Sequence, residues 1–316
     1  MGEERYLVTG ANGCIGAWTV AQLTGEGVPV VALDASDDLH RLALLLDADE
    51  IAGLTRVRGD ITDLDAFGRT LDEHDITHVI HLAALQVPFC RADPPLGARV
   101  NVVGTVNVFE SVARRADRMG PIVYASSVAA YDALDDTTTG AAMEGVPSTL
   151  YGVFKRANEG TASVYAAEQG IASVGLRPHT VYGPGRDQGV TSAPTTAMLH
   201  AAAGLPYELP FGGAYQLQYA PDVAAAFIRA AREPAAGAPV RDVGGPTVHT
   251  DEVIAAIEAA VPGARITAAD IELPFPADTG DPAPATPLRA GIADAVARFR
   301  DLLHRGLVAR PGAGSS

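Results

Sequence analysis

The sequence predicts an α/β protein: a doubly wound parallel sheet followed by a smaller C-terminal α/β lid over the substrate site. Three observations predict it. Short runs rich in Val, Ile or Leu recur at 6–8, 28–33, 54–57, 77–82, 121–125 and 172–176, which is how strands buried on both faces of a parallel sheet read. Stretches with helical spacing of alanine, leucine and charge lie between them, as at 14–25, 95–117 and 149–169, and strand alternating with helix builds such a sheet. A glycine-rich turn, 10–16, joins the first run to the first helical stretch.

After about residue 178 the texture changes to shorter segments rich in Gly and Pro, with helices expected at 191–203, 221–232, 250–260 and 291–305. The expected organisation is a nucleotide-binding domain over 1–177 and a lid over 178–308. The two are partly interleaved, with about 215–245 returning to the first domain. The stretch 276–287 reads as a loop and 309–316 as a disordered tail. No internal repeat is visible.

Composition narrows the function. Of 316 residues, 47% are hydrophobic and 19% charged, enough apolar residues for a sizeable core. A net charge of −15 repels a phosphate backbone, so nucleic acid is not an expected partner. Cys14 and Cys90 form no C-x-x-C pair, and no metal site is expected. The first residues lack the basic-then-apolar form of a signal peptide, and no apolar run reaches membrane-spanning length, so a cytoplasmic enzyme is expected, with no membrane partner.

The turn reads Thr9-Gly10-Ala11-Asn12-Gly13-Cys14-Ile15-Gly16. Glycines there permit a tight turn, close approach of backbone to a pyrophosphate, and close packing of helix on strand. The helix N-terminus offers N–H groups and a positive dipole end to phosphates. The second strand ends at Asp34, where a carboxylate can accept bonds from both ribose hydroxyls and would repel a 2′-phosphate. No arginine follows before Arg41, which favours NAD over NADP. Asp60 and Ile61 follow the third strand, and Leu82, Ala83 and Ala84 end the fourth, where small residues leave room for a cofactor. His81 is expected in the core.

Tyr151 and Lys155 stand at i and i+4, on one face of a helix, and Ser126-Ser127 closes the fifth strand, at the end of a parallel sheet where ligands bind. Oxidising a secondary alcohol requires a base for the hydroxyl proton. A tyrosine with a pKa near ~10 is a poor base at neutral pH. The Lys155 ammonium and a positive nicotinamide ring would favour phenolate. Lowering the pKa by about three pH units corresponds to roughly 4 kcal/mol. Ser127 would hold the substrate oxygen.

These elements, with Asn101 and the segment from Arg177-Pro178 to Val181-Tyr182-Gly183-Pro184-Gly185, resemble the extended short-chain dehydrogenases/reductases, and within them the NAD-dependent epimerase/dehydratase group. The resemblance spans residues 5 to about 235. It implies a Rossmann-like fold, Tyr151 as base, Lys155 also holding the nicotinamide ribose, and Ser127 orienting substrate. It further implies cofactor contacts from Gly10, Asn12, Gly13, Cys14, Ile15, Gly16, Asp34, Asp60, Ile61, Leu82, Ala83, Ala84, Asn101 and Ser126. A homodimer built on the helices at about 95–117 and 149–169 is implied as well. The chain departs from nucleotide-sugar-binding relatives at two places. Thr180 stands where they carry an asparagine and Tyr215 where they carry an arginine, both diphosphate contacts, although Arg186 could compensate. Val128-Ala129 after Ser127 lacks the acidic pair of the 4,6-dehydratases.

Three functions follow from this reading: a dehydrogenase or reductase of a sugar or sugar-like small molecule, an epimerase that retains NAD, or an inactive NAD-binding sensor. Candidate substrate contacts are Gln86, Ser127, Tyr151, His179 and Arg186, with Gln188 nearby. His179 and Gln188 each have an equally simple structural reading.

Overall fold

The computed structural model describes residues 4–131, 143, 145–277, 279 and 285–312. Part of the expected loop at 276–287 and residues 313–316 of the expected tail lie outside the described residues.

The six apolar runs form strands β1 (Tyr6–Thr9), β2 (Val30–Asp34), β3 (Thr55–Arg58), β4 (His78–His81), β5 (Ile122–Ala125) and β6 (Ser173–Arg177). Six further strands follow: β7 (Thr180–Tyr182), β8 (Tyr207–Leu209), β9 (Ala214–Tyr219), β10 (Val240–Asp242), β11 (Thr247–His249) and β12 (Ile266–Ala268). The main sheet has seven strands in the order β10-β6-β5-β4-β1-β2-β3, all parallel. The predicted doubly wound sheet is therefore present, with β10 added at its edge.

Each face of this sheet has its own core. On one, Trp18, Val20 and Leu23 of helix Cys14–Gly25 and Val223 and Phe227 of helix Ala220–Arg232 pack on Tyr6, Val8 and Ala32. On the other, Phe67, Val108, Phe109 and Ala162 pack on Leu7, Val79 and Ile122. Burying apolar side chains such as these contributes about 1.5–3 kcal/mol each, and the alternation of strand side chains across the sheet feeds both cores.

The stretch expected as one helix over 95–117 is divided. Pro94–Ala98 leads into a π-helical turn, Arg99–Val103, and then helix Gly104–Ala113. Such single turns take an extra residue and free backbone groups for other partners. Here the carbonyl of Asn101 accepts from Asn158 Nδ2 at 2.9 Å.

Beyond β6, strands β11, β9 and β7 form one small sheet and β12 with β8 another. Helices Ala193–Ala202, Thr250–Ala260 and Leu288–His304 enclose a third core containing Tyr182, Met198, Phe211, Tyr215, Leu217, Ile257 and Phe299. This is the smaller α/β layer expected after the main sheet. No helix among the described residues is long and apolar enough to cross a membrane.

Candidate active site

The glycine turn is built by close approaches. Gly10 has φ +68°, and a Cβ there would lie 2.7 Å from the Ala83 nitrogen. A Cβ on Gly16 would lie 2.0 Å from the Gly10 carbonyl oxygen, so helix Cys14–Gly25 packs on the turn at a distance only glycine permits. Gly13 is the N-cap, and the first intrahelical bond runs from Ala17 N–H to the Gly13 carbonyl at 2.8 Å. The N–H groups of Cys14, Ile15 and Gly16 therefore have no partner within the helix and point out of its N-terminal end. Burial pushes the Cys14 thiol up to about 11, so it stays protonated at neutral pH.

Asp34 sits at the end of β2 beside this turn. One carboxylate oxygen accepts from Asn12 N–H and the other from Ser36 N–H, both at 2.9 Å. Asp60 is exposed and accepts from Thr62 N–H at 2.8 Å. Ile61 is buried and packs so tightly on Gly104 that a Cβ there would come within 2.6 Å of its Cδ1. Leu82, Ala83 and Ala84 leave the end of β4 at intermediate exposure, with Leu82 and Ala83 amides donating to Thr9 Oγ1 at 3.2 Å. Asn101 is buried, and its side chain pairs with both the N–H (2.7 Å) and the carbonyl (2.9 Å) of Leu85. It thus fixes the segment after β4 rather than presenting its amide to the cleft. His81 is in the core as expected, between Thr9 and Thr105 hydroxyls, and desolvation drops its pKa to about 3.

The catalytic candidates come together at the end of β5. Helix Leu150–Gln169 begins at Thr149, whose hydroxyl accepts from Gly152 N–H at 3.1 Å, and ends at Gly170 with φ +69°. Its first turn packs on the segment after Ser127, and a Cβ on Gly152 would fall 2.0 Å from the Ala129 carbonyl oxygen. That approach sets Tyr151 beside Ser127, near enough for the serine hydroxyl to favour the phenolate. One turn on, Lys155 is 3% exposed. Its Nζ donates to the Ala125 carbonyl at 2.6 Å and lies 5.5 Å from the Tyr151 ring centroid. Desolvation lowers the Lys155 pKa to about 8, opposed by the nearby Cys90 and Glu159.

The Tyr151 phenol behaves differently from the sequence expectation. Burial raises its pKa, and the Ser127 hydrogen bond and the Arg186 charge pull it back only in part. Lys155, itself desolvated and turned to Ala125, is not among the groups that lower it.

Ser126, expected at the cofactor, is buried and donates to Glu159 Oε1 at 2.5 Å. Glu159 in turn receives Arg177 through both oxygens, at 2.7 and 2.6 Å. Arg177 also donates to the Tyr131 hydroxyl, which donates to Asp242, each at 2.8 Å. This largely buried chain ties the end of β5 to helix Leu150–Gln169 and to β6 and β10. Glu159 was not legible as part of the site, although it stands four residues beyond Lys155 on the same helical face.

On the lid side, His179 has both ring nitrogens engaged. Nδ1 meets Thr180 N–H at 2.8 Å, and Nε2 meets the Pro276 carbonyl at 2.9 Å. Thr180 and Tyr215 are buried in the lid, so neither place of the diphosphate clamp presents a charge. Gln86 lies against Gly189, where a Cβ would come 3.5 Å from its Oε1. Arg186 Nη1 donates to the Gln188 carbonyl at 2.7 Å and Nη2 to Thr191 Oγ1 at 2.8 Å. Arg41 is committed elsewhere, donating to Asn12 and Gly185 carbonyls at 3.0 Å and to Asp187 at 2.6 Å. Among the described residues no group of three His, Cys, Asp or Glu side chains is placed to hold a metal ion.

The sequence profile of the NAD dependent epimerase/dehydratase family matches residues 6–244. The chain belongs to this family. It is 34% identical over 268 residues to UDP-glucose 4-epimerase of Mycolicibacterium smegmatis, covering 81% of this chain and 82% of that one. UDP-glucuronate 4-epimerase 2 of Arabidopsis thaliana is 34% identical over 184 residues, 56% of this chain. The chain spans only 42% of that plant protein. Among solved structures, UDP-glucose 4-epimerase of Thermus thermophilus, in complex with NAD, superposes with a TM-score of 0.77 at 26% identity, covering 94% of this chain and 99% of that one. L-threonine dehydrogenase of Clostridium difficile shares the fold with a TM-score of 0.82 at 18% identity, over 98% of this chain and 100% of that one. The resemblance read from the motifs, and the α/β fold it implied, are borne out.

Proposed function

We propose that this member of the family is an NAD-dependent oxidoreductase that transfers a hydride at a secondary carbinol of a sugar or sugar-like substrate, with Tyr151 as base. The observation that carries the reading is the packing of Gly152 on Ala129, which holds the start of helix Leu150–Gln169, with Tyr151, beside Ser127 at the end of β5. β1, β4 and β5 are parallel neighbours, so the turn after β1 lies at the same edge of the sheet as the end of β5.

The residues present fit NAD. The unpartnered N–H groups of Cys14, Ile15 and Gly16 suit a pyrophosphate. Asp34, held open by Asn12 and Ser36 amides, suits ribose hydroxyls. Arg41, the first arginine after Asp34 in the chain, is committed to Asp187 and two carbonyls, and Arg58, opposite Asp34 on β3, is paired with Asp37 at 2.6 Å, so both are engaged where a 2′-phosphate would need a cation. Bound NAD supplies the hydride acceptor and a positively charged ring. In net terms a secondary alcohol and NAD become a ketone, NADH and a proton. Ser127 positions the substrate hydroxyl, and Tyr151 takes its proton. Because burial raises the phenol in the protein alone, phenolate formation would depend on the positive charge that NAD brings to the site, and Lys155 would add to it by holding the nicotinamide ribose.

A nucleotide-binding unit over 1–177 and a lid over 178–308, interleaved at about 215–245, is the division we propose. A homodimer is proposed through the helices flanking the cleft. Leu96, Val103, Val153 and Val164 on them are exposed apolar residues, which suit an interface. The cytoplasm is the proposed compartment.

The second reading is an epimerase that retains NAD and returns the hydride to the opposite face. The similarity to the Mycolicibacterium enzyme over 81% of this chain favours it, whereas the buried Thr180 and Tyr215 disfavour a UDP-sugar. Absorbance at 340 nm with NAD and a panel of aldoses, uronic acids and aldonic acids separates the two. NADH formation that Tyr151→Phe reduces by about 10²–10⁴-fold supports the first reading. Conversion of UDP-glucose to UDP-galactose without added cofactor, and no NADH from the panel, supports the second.

A further inference from the structure

Arg186 differs from three other partly buried arginines of this chain. Arg41, Arg115 and Arg177, with side chains 11–18% exposed, each grip a carboxylate at 2.6 Å. Arg186 is also partly buried, yet its two bonds go to neutral acceptors, the Gln188 carbonyl and the Thr191 hydroxyl. It makes no ion pair among the described residues. This happens in a chain with 38 acidic and 23 basic residues, where carboxylates are in excess.

The adjacent acid is held away from it. Asp187 is bound by Arg41 at 2.6 Å and by His40 at 3.0 Å, and these partners hold its carboxyl below the usual range. The guanidinium has five N–H donors, and two are used to orient it. Arg41 bridges the carbonyls of Asn12 in the glycine turn and of Gly185, each at 3.0 Å, so the segment that carries Arg186 runs beside the cofactor loop, and the guanidinium charge favours the Tyr151 phenolate. Gln86 closes on the same 186–191 segment.

We propose that Arg186 seats a carboxylate carried by the substrate, so that the enzyme acts on a sugar acid. This rests on the hydride-transfer reading for its chemistry but not for its binding. An oriented, unpaired guanidinium is complementary to a planar carboxylate, which it can grip through two parallel N–H donors. A diphosphate needs more positive charge than one arginine, and Thr180 and Tyr215 supply none. The carboxylate can belong to a free uronic or aldonic acid or to the uronic acid of a nucleotide sugar, and the free acid is the expected source.

Isothermal titration of the full chain with saturating NAD tests this, using galacturonate against galactose, galactarate against galactitol, and UDP-glucuronate against UDP-glucose. The acid of at least one pair is expected to bind at least about tenfold tighter than its neutral counterpart, and Arg186→Gln to remove about 10–100-fold of that affinity. Arg186→Lys is expected to restore part of it. A preference confined to the UDP pair keeps the carboxylate seat and assigns it to a nucleotide sugar. Acid preference without any NADH formation keeps the seat and overturns net oxidation. Equal binding of acids and neutral counterparts, failure of every acid to bind at millimolar concentration, or a preference that survives Arg186→Gln overturns the proposal.

Discussion

In the main sheet, β1 lies between two parallel neighbours, and Tyr6, Leu7 and Val8 are wholly buried on both its faces. In the lid, β9 also lies between two neighbours and is also buried, but it alternates Tyr215, Gln216, Leu217, Gln218 and Tyr219. Alternation of that kind ordinarily marks a strand with one face in water. Here the glutamines face a seam. Gln216 donates to the Thr279 carbonyl at 2.6 Å, Gln218 donates to the Val243 carbonyl, and its Oε1 accepts from His179 N–H at 2.8 Å. The first region buries apolar surface and places its candidate site residues at strand ends. The second buries polar side chains that join segments far apart in sequence. Motifs report the first kind of construction and cannot report the second.

The largest expected effect lies where the first region depends on close packing. Gly152→Ala puts a Cβ 2.0 Å from a backbone oxygen, which no side-chain rotation relieves. Helix Leu150–Gln169 must shift. Overpacking of this kind costs about 1–3 kcal/mol, and a displacement near 1 Å at the base costs about 100-fold in turnover. Denaturant melts and steady-state rates check both. A variant with unchanged rates would show that the helix position is not what sets the site.

Next is the lysine of the same helix. Lys155 has a folded pKa of about 8 against an ordinary 10.5. Below pH 8 the lysine is charged in both states, and the folded protein carries its burial penalty. Between pH 8 and 10.5 the folded state releases the proton first, so stability rises with pH and the penalty disappears above 10.5. The difference corresponds to about 3 kcal/mol. Lys155→Met is therefore expected to abolish turnover while being more stable than the parent at pH 7, with that gap closing as pH rises through this window. Parallel melts across that range test it, and a gap that stays constant would remove burial as the cause.

The strands β1 to β6 were legible because each is a short apolar run and because parallel strands alternate with helices. The glycine turn, Asp34, Ser127, Tyr151 and Lys155 could be picked out as candidates because they sit at fixed positions relative to those runs. Glu159 could not, because its partners Ser126 and Arg177 come from two other elements, and only the fold brings them together. The π turn at Arg99–Val103 was hidden inside a helical pattern that does not register one extra residue. Strands β7, β8, β10, β11 and β12 are three residues each, too short to show a period. Asn101 and Ser126 were read as cofactor contacts from family position, whereas their side chains serve neighbouring backbone and Glu159 in this structure.

The smallest effect sharpens the comparison most directly, because it concerns a lid residue whose type suggested chemistry. His179 has no ring nitrogen left for a substrate. His179→Leu should leave the Pro276 carbonyl and the Thr180 amide without partners, costing about 1–2 kcal/mol at pH 7, with KM unchanged within about twofold. Burial drops the His179 pKa from 6.5 to about 4. Its contribution is therefore fully present above pH 6.5 and is lost as pH falls from there toward 4, where the unfolded chain takes up a proton that the folded one refuses. His81 titrates in the same direction, so the parent alone cannot assign the effect. The difference between parent and variant can: the parent should lose its advantage between pH 6.5 and 4. A KM that rises tenfold with no change in stability would instead make His179 a substrate contact and the lid as readable as the sheet.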